Sequence, residues 1–190
     1  MSVELNTVID SKLFKAQTDG LSGDGSLRYV DGTLSWVPDV VEPEPAYSEL
    51  RVPSTSSLSL ANGDNTNDAD YVDFNAPSMW LAGVNKNVNQ SGVDGTLAVQ
   101  LSGVYRVSFW TDISSSDAST NFSFRYEIDG TQSPQKLQVT VKDATDLVNI
   151  SATGFVALTA GQTLKVKIVA NKTCTATVVG GGLVIEKIDN

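Results

Sequence analysis

Apolar and polar side chains alternate with a period of two residues in many separate segments of this chain. Between Phe122 and Ile128, aromatic and aliphatic residues alternate with Ser123, Arg125 and Glu127. Successive side chains of a β-strand point to opposite faces of a sheet, so this period predicts strands with one buried face. No stretch carries a helical apolar stripe of more than two turns. The sequence therefore predicts an all-β, antiparallel sandwich or barrel.

The predicted strands follow one another at regular spacing, with Gly-, Asp- and Asn-rich turn signals between them. They cover residues 58–60, 71–74, 96–101, 104–110, 122–128, 137–141, 148–151, 154–158, 164–169 and 183–188. The last of them follows a run of three glycines, Gly180 to Gly182, which falls among the turn signals.

The chain divides into three predicted parts. Residues 1–37 form an N-terminal arm, residues 38–49 form a linker rich in proline and acidic residues, and residues 50–190 form the sandwich domain. Prolines in close succession forbid a helix interior and discourage sheet pairing, which indicates a semi-rigid, extended linker. Such a linker lets the arm reach away from its own body.

The arm carries the clearest local signal in the chain. Asp31-Gly32 stands between two short alternating runs, and Asp-Gly in this position predicts a β-hairpin because a type I′ turn needs positive φ at both central residues. The hairpin places four large apolar residues on its strands: Leu27, Tyr29, Leu34 and Trp36. A lone hairpin is marginal in water, so these residues should be covered, either by the protein's own sandwich or by another subunit or larger assembly.

Composition narrows the function classes. The net charge is -9, which makes nucleic acid and anionic membranes poor partners because both select a basic face. There is no histidine, which removes the commonest general base and transition-metal ligand. Together with the lack of any recognisable catalytic motif, this predicts a protein that is not an enzyme, with no catalytic residue and no cofactor. We also expect no signal peptide and no membrane-spanning segment.

Three further features of the sequence each allow two interpretations of their role. Asp64, Asp68 and Asp70 lie in one oxygen-rich loop that is either a weak Ca²⁺ candidate or a plain solvated loop without the EF-hand pattern. The single cysteine, Cys174, is a small core or interface residue rather than a reactive thiol. A final set of aromatic residues serves either to stack on sugars or to pack the core: Tyr71, Trp80 and Trp110.

The stretch from Gly103 to Ile188 resembles the C1q/TNF-like jelly roll. The matching segments are GVYRVSF at 103–109, FSFRYEIDG at 122–130, GFVALTAGQTLKV at 154–166 and GGGLVIEKI at 180–188. The resemblance implies a ten-strand-class jelly roll that assembles as a homotrimer, with binding surfaces on loops and in grooves between subunits. The chain departs from the animal members of the family because it has no collagen-like Gly-X-Y repeat.

The arm resembles the Gly- and Asp-rich hairpins of phage fibre and head proteins, over the segment GDGSLRYVDGTLSWV at 23–37. An arm, a proline-rich linker and a C1q/TNF-like head together imply a virion protein of a tailed bacteriophage. We expect a trimeric decoration (cement) protein on the capsid surface, assembled in the host cytoplasm and bound to the major capsid protein or another virion protein. The alternatives are the receptor-binding tip of a tail fibre and a C1q-like binding module outside any virus.

Overall fold

The computed structural model describes residues 44–188 in full and the backbone of two arm strands at 25–30 and 33–38. The chain divides into two compact units, Met1–Pro43 and Glu44–Asn190. In the first unit, β1 (Gly25–Val30) and β2 (Thr33–Pro38) pair antiparallel as a two-stranded sheet. This pairing confirms the predicted hairpin strands, while the Asp-Gly turn between them lies outside the described residues.

The second unit is a sandwich of two antiparallel sheets. Its strands are β3 (Tyr47–Val52), β4 (Ser56–Leu60), β5 (Val72–Asp73), β6 (Leu81–Lys86), β7 (Val88–Ser91), β8 (Thr96–Val99), β9 (Gly103–Ser115), β10 (Thr120–Ile128), β11 (Thr131–Gln132), β12 (Leu137–Val141), β13 (Val148–Leu158), β14 (Thr163–Ala170) and β15 (Cys174–Lys187). Sheet I has the order β13-β9-β15-β3-β6, with β4 paired to β15. Sheet II has the order β11-β10-β14-β8-β7, with β12 paired to β10 and β5 to β14. The predicted all-β jelly-roll sandwich is confirmed.

An aromatic cluster joins the two sheets at the centre of the core. Phe74, directly after β5, meets Phe109 of sheet I and Phe124 of sheet II edge-on, at ring-centroid distances of 5.6 and 5.4 Å. Trp80 contacts the same ring at 5.9 Å. Edge-to-face pairs at these distances are favourable beyond the apolar area that they bury. The inward-facing side chains of both sheets therefore pack into one common core.

The burial of β10 differs from the simple alternation in the sequence. Its apolar residues face the core, but Ser123, Arg125 and Glu127 on the opposite face are also buried, with relative exposures of 2, 7 and 8%. The segment from Asn62 to Asp73 covers this face: Tyr71 bonds to Ser123, and both Asn65 and Asp68 bond to Arg125. The period of two identified the strand correctly, although it could not show that a loop would cover the polar side.

The strands of the structure differ from the predicted bounds in two places. The predicted linker 38–49 ends inside the sandwich, because β3 begins at Tyr47 and pairs with β15, and the prediction began the sandwich only at Leu50. The three glycines at 180–182 do not form a turn but lie within β15, which continues from Cys174 to Lys187 with a bulge between Val178 and Gly180. Within the described part of the chain, no helix is long and apolar enough to span a bilayer.

Candidate functional site

The arm hairpin brings its four predicted attachment positions into register. Leu27 lies opposite Trp36, and Tyr29 lies opposite Leu34. Directly opposed and alternate positions in an antiparallel ladder belong to one face, so these four positions share a face of the hairpin. Their role in attachment stays a prediction.

The outer face of sheet I, which points away from the core, carries a row of side chains across four strands. Phe155 on the edge strand β13 is 69% exposed and lies opposite Arg106 of β9. Arg106 forms an ion pair with Glu186 of β15, and Glu186 lies opposite the exposed Tyr47 of β3. We call Phe155, Arg106, Glu186 and Tyr47 the cross-strand row. Its two ends are aromatic and its centre is an ion pair; of these residue types, aromatic residues and arginine are enriched at protein interfaces.

The same face holds the half-buried Trp110 against a glycine. Gly182 lies opposite Trp110 in the β9–β15 ladder, and a β-carbon at Gly182 would lie 2.3 Å from two atoms of the indole ring. The ring therefore occupies the space that a side chain at residue 182 would need. This packing explains the glycine run without any turn and fixes an aromatic surface beside the cross-strand row.

Two of the three aromatic residues predicted for sugar stacking or core packing lie in the interior. Tyr71 and Trp80 are 4 and 5% exposed. The Trp80 indole nitrogen donates a 3.1 Å hydrogen bond to the Phe74 carbonyl, and the guanidinium of Arg125 lies 4.2 Å from the centre of the Tyr71 ring. Neither ring offers a face to a ligand, which favours core packing for both.

The three acidic residues of the weak Ca²⁺ candidate are engaged in holding their own loop. Asp70 accepts a 2.7 Å hydrogen bond from the Asp64 amide, and Asp64 accepts one of 2.8 Å from the Thr66 amide. The bonds from Thr66 hold the pKa of Asp64 below its usual range. Asp68 instead forms an ion pair with Arg125. Among the described residues, no group of three or more His, Cys, Asp or Glu side chains is placed to hold a metal ion.

A second charge cluster lies further along the outer face of sheet II. The carboxylate of Asp73 lies 3.0 Å from the ammonium of Lys165 and 2.8 Å from that of Lys167. Glu127 contacts the same two ammonium groups at 3.1 and 3.4 Å. Burial alone would raise the pKa of Asp73, but the hydrogen bonds from Lys167 and Lys165 outweigh it and hold the pKa below its usual value. The two acids and two lysines neutralise one another, so the cluster holds β5 to β14 and leaves no net charge for a ligand.

Cys174 lies at the start of β15 with 6% exposure. Burial raises the pKa of its thiol, which keeps it protonated at neutral pH. Its position agrees with the prediction of a core residue.

A polar hollow of about 230 Å³ opens on sheet II beside the acidic loop. It is lined mainly by polar residues, namely Asp64, Asn65, Asn121, Ser123, Gln138 and Asn171, together with Gly63 and Val169. Some of these polar groups already bond to each other: the side-chain oxygen of Asn171 accepts a 2.7 Å hydrogen bond from the Asn121 backbone amide. No local pattern predicts this hollow, because its residues come from four separate segments of the chain.

No protein-family model matches the chain, and no curated protein matches its sequence. Solved structures do match its fold. Eiger TNF from S. frugiperda is 9% identical, with a TM-score of 0.52 over 77% of this chain and 93% of that one. Murine APRIL at pH 5.0 is 14% identical (TM-score 0.49; 76% of this chain and 100% of that one), and the globular domain of zebrafish complement 1qA protein is 15% identical (TM-score 0.46; 72 and 94%). The likeness to Eiger TNF shows the fold of the second unit, a TNF-like jelly roll.

Proposed function

We propose that the protein is a non-enzymatic virion protein of a tailed bacteriophage, a decoration protein that binds the capsid surface as a homotrimer and stabilises the shell. The observation that carries the proposal is a paired hairpin with four large apolar residues in register, in a unit separate from the sandwich. The proline- and acid-rich stretch after the hairpin supports a reach beyond the protein's own body.

The outer face of sheet I supports the homotrimer. A phenylalanine that is 69% exposed at one end of the cross-strand row and a tyrosine that is 39% exposed at the other end leave apolar surface open in the single chain. Aromatic residues and arginine are enriched at subunit contacts, and the cross-strand row supplies both. The neighbouring copies of the trimer would cover this row.

Trimeric attachment works through avidity. Three arms on one trimer turn the second and third contacts into intramolecular events, which raises the overall affinity without any strong single contact. A ligand that binds only the assembled shell also stabilises that shell by mass action. The proposal therefore predicts that a single arm binds the capsid weakly and that the trimer binds it tightly.

The proposal is tested by binding of the full chain to capsids assembled from the major capsid protein of the same virus. Exchanging Tyr29 and Trp36 for alanine should abolish saturable binding while leaving the oligomer intact. The matched control exchanges Arg28 and Ser35, an opposed pair at the alternate positions of the same ladder, and should bind like the wild type. Binding of the Tyr29/Trp36 variant at full occupancy would show that the hairpin is not the attachment element.

The polar hollow on sheet II favours a second candidate function, the receptor-binding tip of a tail fibre. Carboxamides around a shallow recess suit the hydroxyl groups of a glycan. Copy number in purified virions distinguishes the two functions: hundreds of copies indicate decoration, and a handful indicates a fibre. A gene neighbourhood without capsid genes would instead favour the third alternative, a non-viral binding module.

A further inference from the structure

Two cavities open between the sheets at the edge formed by β12 and β13. One has a volume of about 120 Å³ and the other of about 180 Å³. Three residues line both of them: Tyr126 of β10, Gln135 of the following loop, and Gly154 of β13. The two cavities therefore flank one tyrosine and form a paired cavity.

The strand pairing explains why the sandwich is open at this point. β12 pairs with β10 only as far as Phe124 opposite Leu137, and β11 pairs with β10 from Glu127 onward. Neither β11 nor β12 has a residue in register with Arg125 or Tyr126, and only the Ser133 amide of the connecting loop donates to the Tyr126 carbonyl, at 2.8 Å. On sheet I, Gly154 leaves further space, because no atom lies within 4 Å of the position that its β-carbon would take.

The lining of the paired cavity is largely apolar and reaches the core. The apolar residues are Phe109, Phe124, Leu137 and Val166 in the smaller cavity, and Val107, Ile128, Phe155, Val156 and Leu164 in the larger one. Most of them belong to the central core or pack against it. An apolar molecule that entered would exchange water for core side chains, which is favourable in proportion to the area buried.

The Tyr126 hydroxyl is the unusual group in this lining. It is shielded from solvent and has no hydrogen-bond partner. Burial raises the pKa of Tyr126 to about 12, so the phenol is a neutral donor at physiological pH. A buried polar group without a partner destabilises the fold, because it has lost its hydrogen bonds to water. An occupant that brings an acceptor to this hydroxyl recovers part of that loss.

We propose that the paired cavity is a binding site for a small, uncharged, mainly apolar molecule, a single aromatic ring or short aliphatic chain with one hydrogen-bond acceptor for Tyr126. The size agrees, since an apolar cavity of about 150 Å³ is enough for benzene. The smaller cavity is also lined by Arg125, whose charge is paired with Asp68, and by the exposed Lys136. An uncharged ligand is specified because an ion would lose its hydration against the remaining, apolar lining. The proposal does not rest on the capsid function proposed above, although one residue, Phe155, belongs both to the paired cavity and to the cross-strand row.

Calorimetry and NMR titration of the full chain test the site with two probes, acetophenone and ethylbenzene, which differ in a carbonyl acceptor. Acetophenone should bind saturably, with shift changes centred on Tyr126 and Gly154, and about 5-fold more tightly than ethylbenzene, as one neutral hydrogen bond predicts. Tyr126→Phe should make the two affinities equal. Gly154→Leu should fill the opening and abolish binding, whereas the control Ser151→Leu, on the outer face of the same strand, should bind like the wild type.

Thermal unfolding of each variant identifies any loss of binding that comes from misfolding. If Gly154→Leu does not fold, Tyr126→Phe still tests the site, because this substitution removes only one oxygen atom. The proposal is overturned if acetophenone does not saturate the wild type, or if its binding survives Gly154→Leu. It is also overturned if binding disappears as the protein self-associates, because a second copy would then be the occupant.

Discussion

At the residue scale, the clearest dependence of the fold on one side chain is at Gly182. The residue lies mid-strand under the Trp110 indole, where even one methyl group would meet ring atoms at 2.3 Å. We expect Gly182→Ala to lower the free energy of unfolding by about 1–3 kcal/mol, the usual cost of overpacking. Urea unfolding measures this change. Gly154→Ala is the control, since its β-carbon meets nothing within 4 Å, and an equal loss in both variants would refute the packing argument.

Asp73, in the charge cluster on sheet II, should make the stability of the fold depend on pH. Its pKa in the folded protein lies below the ordinary 3.8, so the folded state holds this proton less tightly than the unfolded chain. The carboxylate therefore stabilises the fold above the unfolded pKa, and the contribution is lost as the pH falls through the folded pKa. We expect Asp73→Asn to lower the melting temperature near neutral pH, by an amount that shrinks below pH 3.8. A difference that stays constant with pH, or that is matched by Asp143→Asn in the β12–β13 loop, would contradict this.

At the element scale, the segment that covers sheet II depends on Arg125 more than on its acidic partner. The Arg125 side chain is 5% exposed and donates to Asp68, donates to the Asn65 carbonyl at 2.8 Å and lies over Tyr71, whereas Asp68 is 68% exposed. We expect Arg125→Met to lower the free energy of unfolding by about 1–3 kcal/mol. Asp68→Asn should cost less than about 1 kcal/mol, because it removes only a partly exposed ion pair.

Amide hydrogen exchange separates local from global loosening in these two variants. Exchange in residues 64–71 should accelerate in Arg125→Met by more than in the strands of sheet I, because its contacts are with that segment. Equal destabilisation by the two substitutions would mean that the ion pair, and not the carbonyl and ring contacts, holds the segment.

Also at this scale, alternation accounts for most of the fold, and its failures have physical causes. Every segment with a strict period of two, such as residues 122–128 and 164–169, coincides with a strand. β6 and β7 were missed because Leu81–Lys86 is almost wholly exposed and Val88–Ser91 is mainly polar, so neither carries a buried stripe. The burial of Arg125 depends on contacts with residues about 60 positions away, which no local pattern encodes.

For the molecule as a whole, the sequence predicted the arm hairpin and the sandwich, but not the surfaces that several strands form together. The Asp-Gly signal located the hairpin, since turn chemistry is local. The cross-strand row joins residues from β3, β9, β13 and β15, and its members become neighbours only through the strand order. The paired cavity beside Tyr126 likewise depends on where two short strands end. Long-range surfaces of this kind become visible only in three dimensions.

The proposed homotrimer makes its own prediction about Phe155. In the single chain this ring is 69% exposed, and burial against a second copy would make it a central contact. We expect the wild-type chain to have three times the 20.2 kDa chain mass in sedimentation equilibrium. Phe155→Glu should weaken assembly by about 30-fold or more, which corresponds to a contact of about 2 kcal/mol that is lost when a charge enters an apolar interface.

Val93→Glu is the matched control, because Val93 is 83% exposed in the β7–β8 turn and belongs to neither the cross-strand row nor the paired cavity. It should leave the mass unchanged. Since Phe155 points away from the core, its variant should also keep a folded sandwich in near-ultraviolet circular dichroism, which separates loss of assembly from loss of fold. A Phe155→Glu variant that assembles as tightly as the wild type would show that sheet I is not the subunit contact. A monomeric wild type would contradict the trimer itself, and attachment could then not depend on the avidity of three arms.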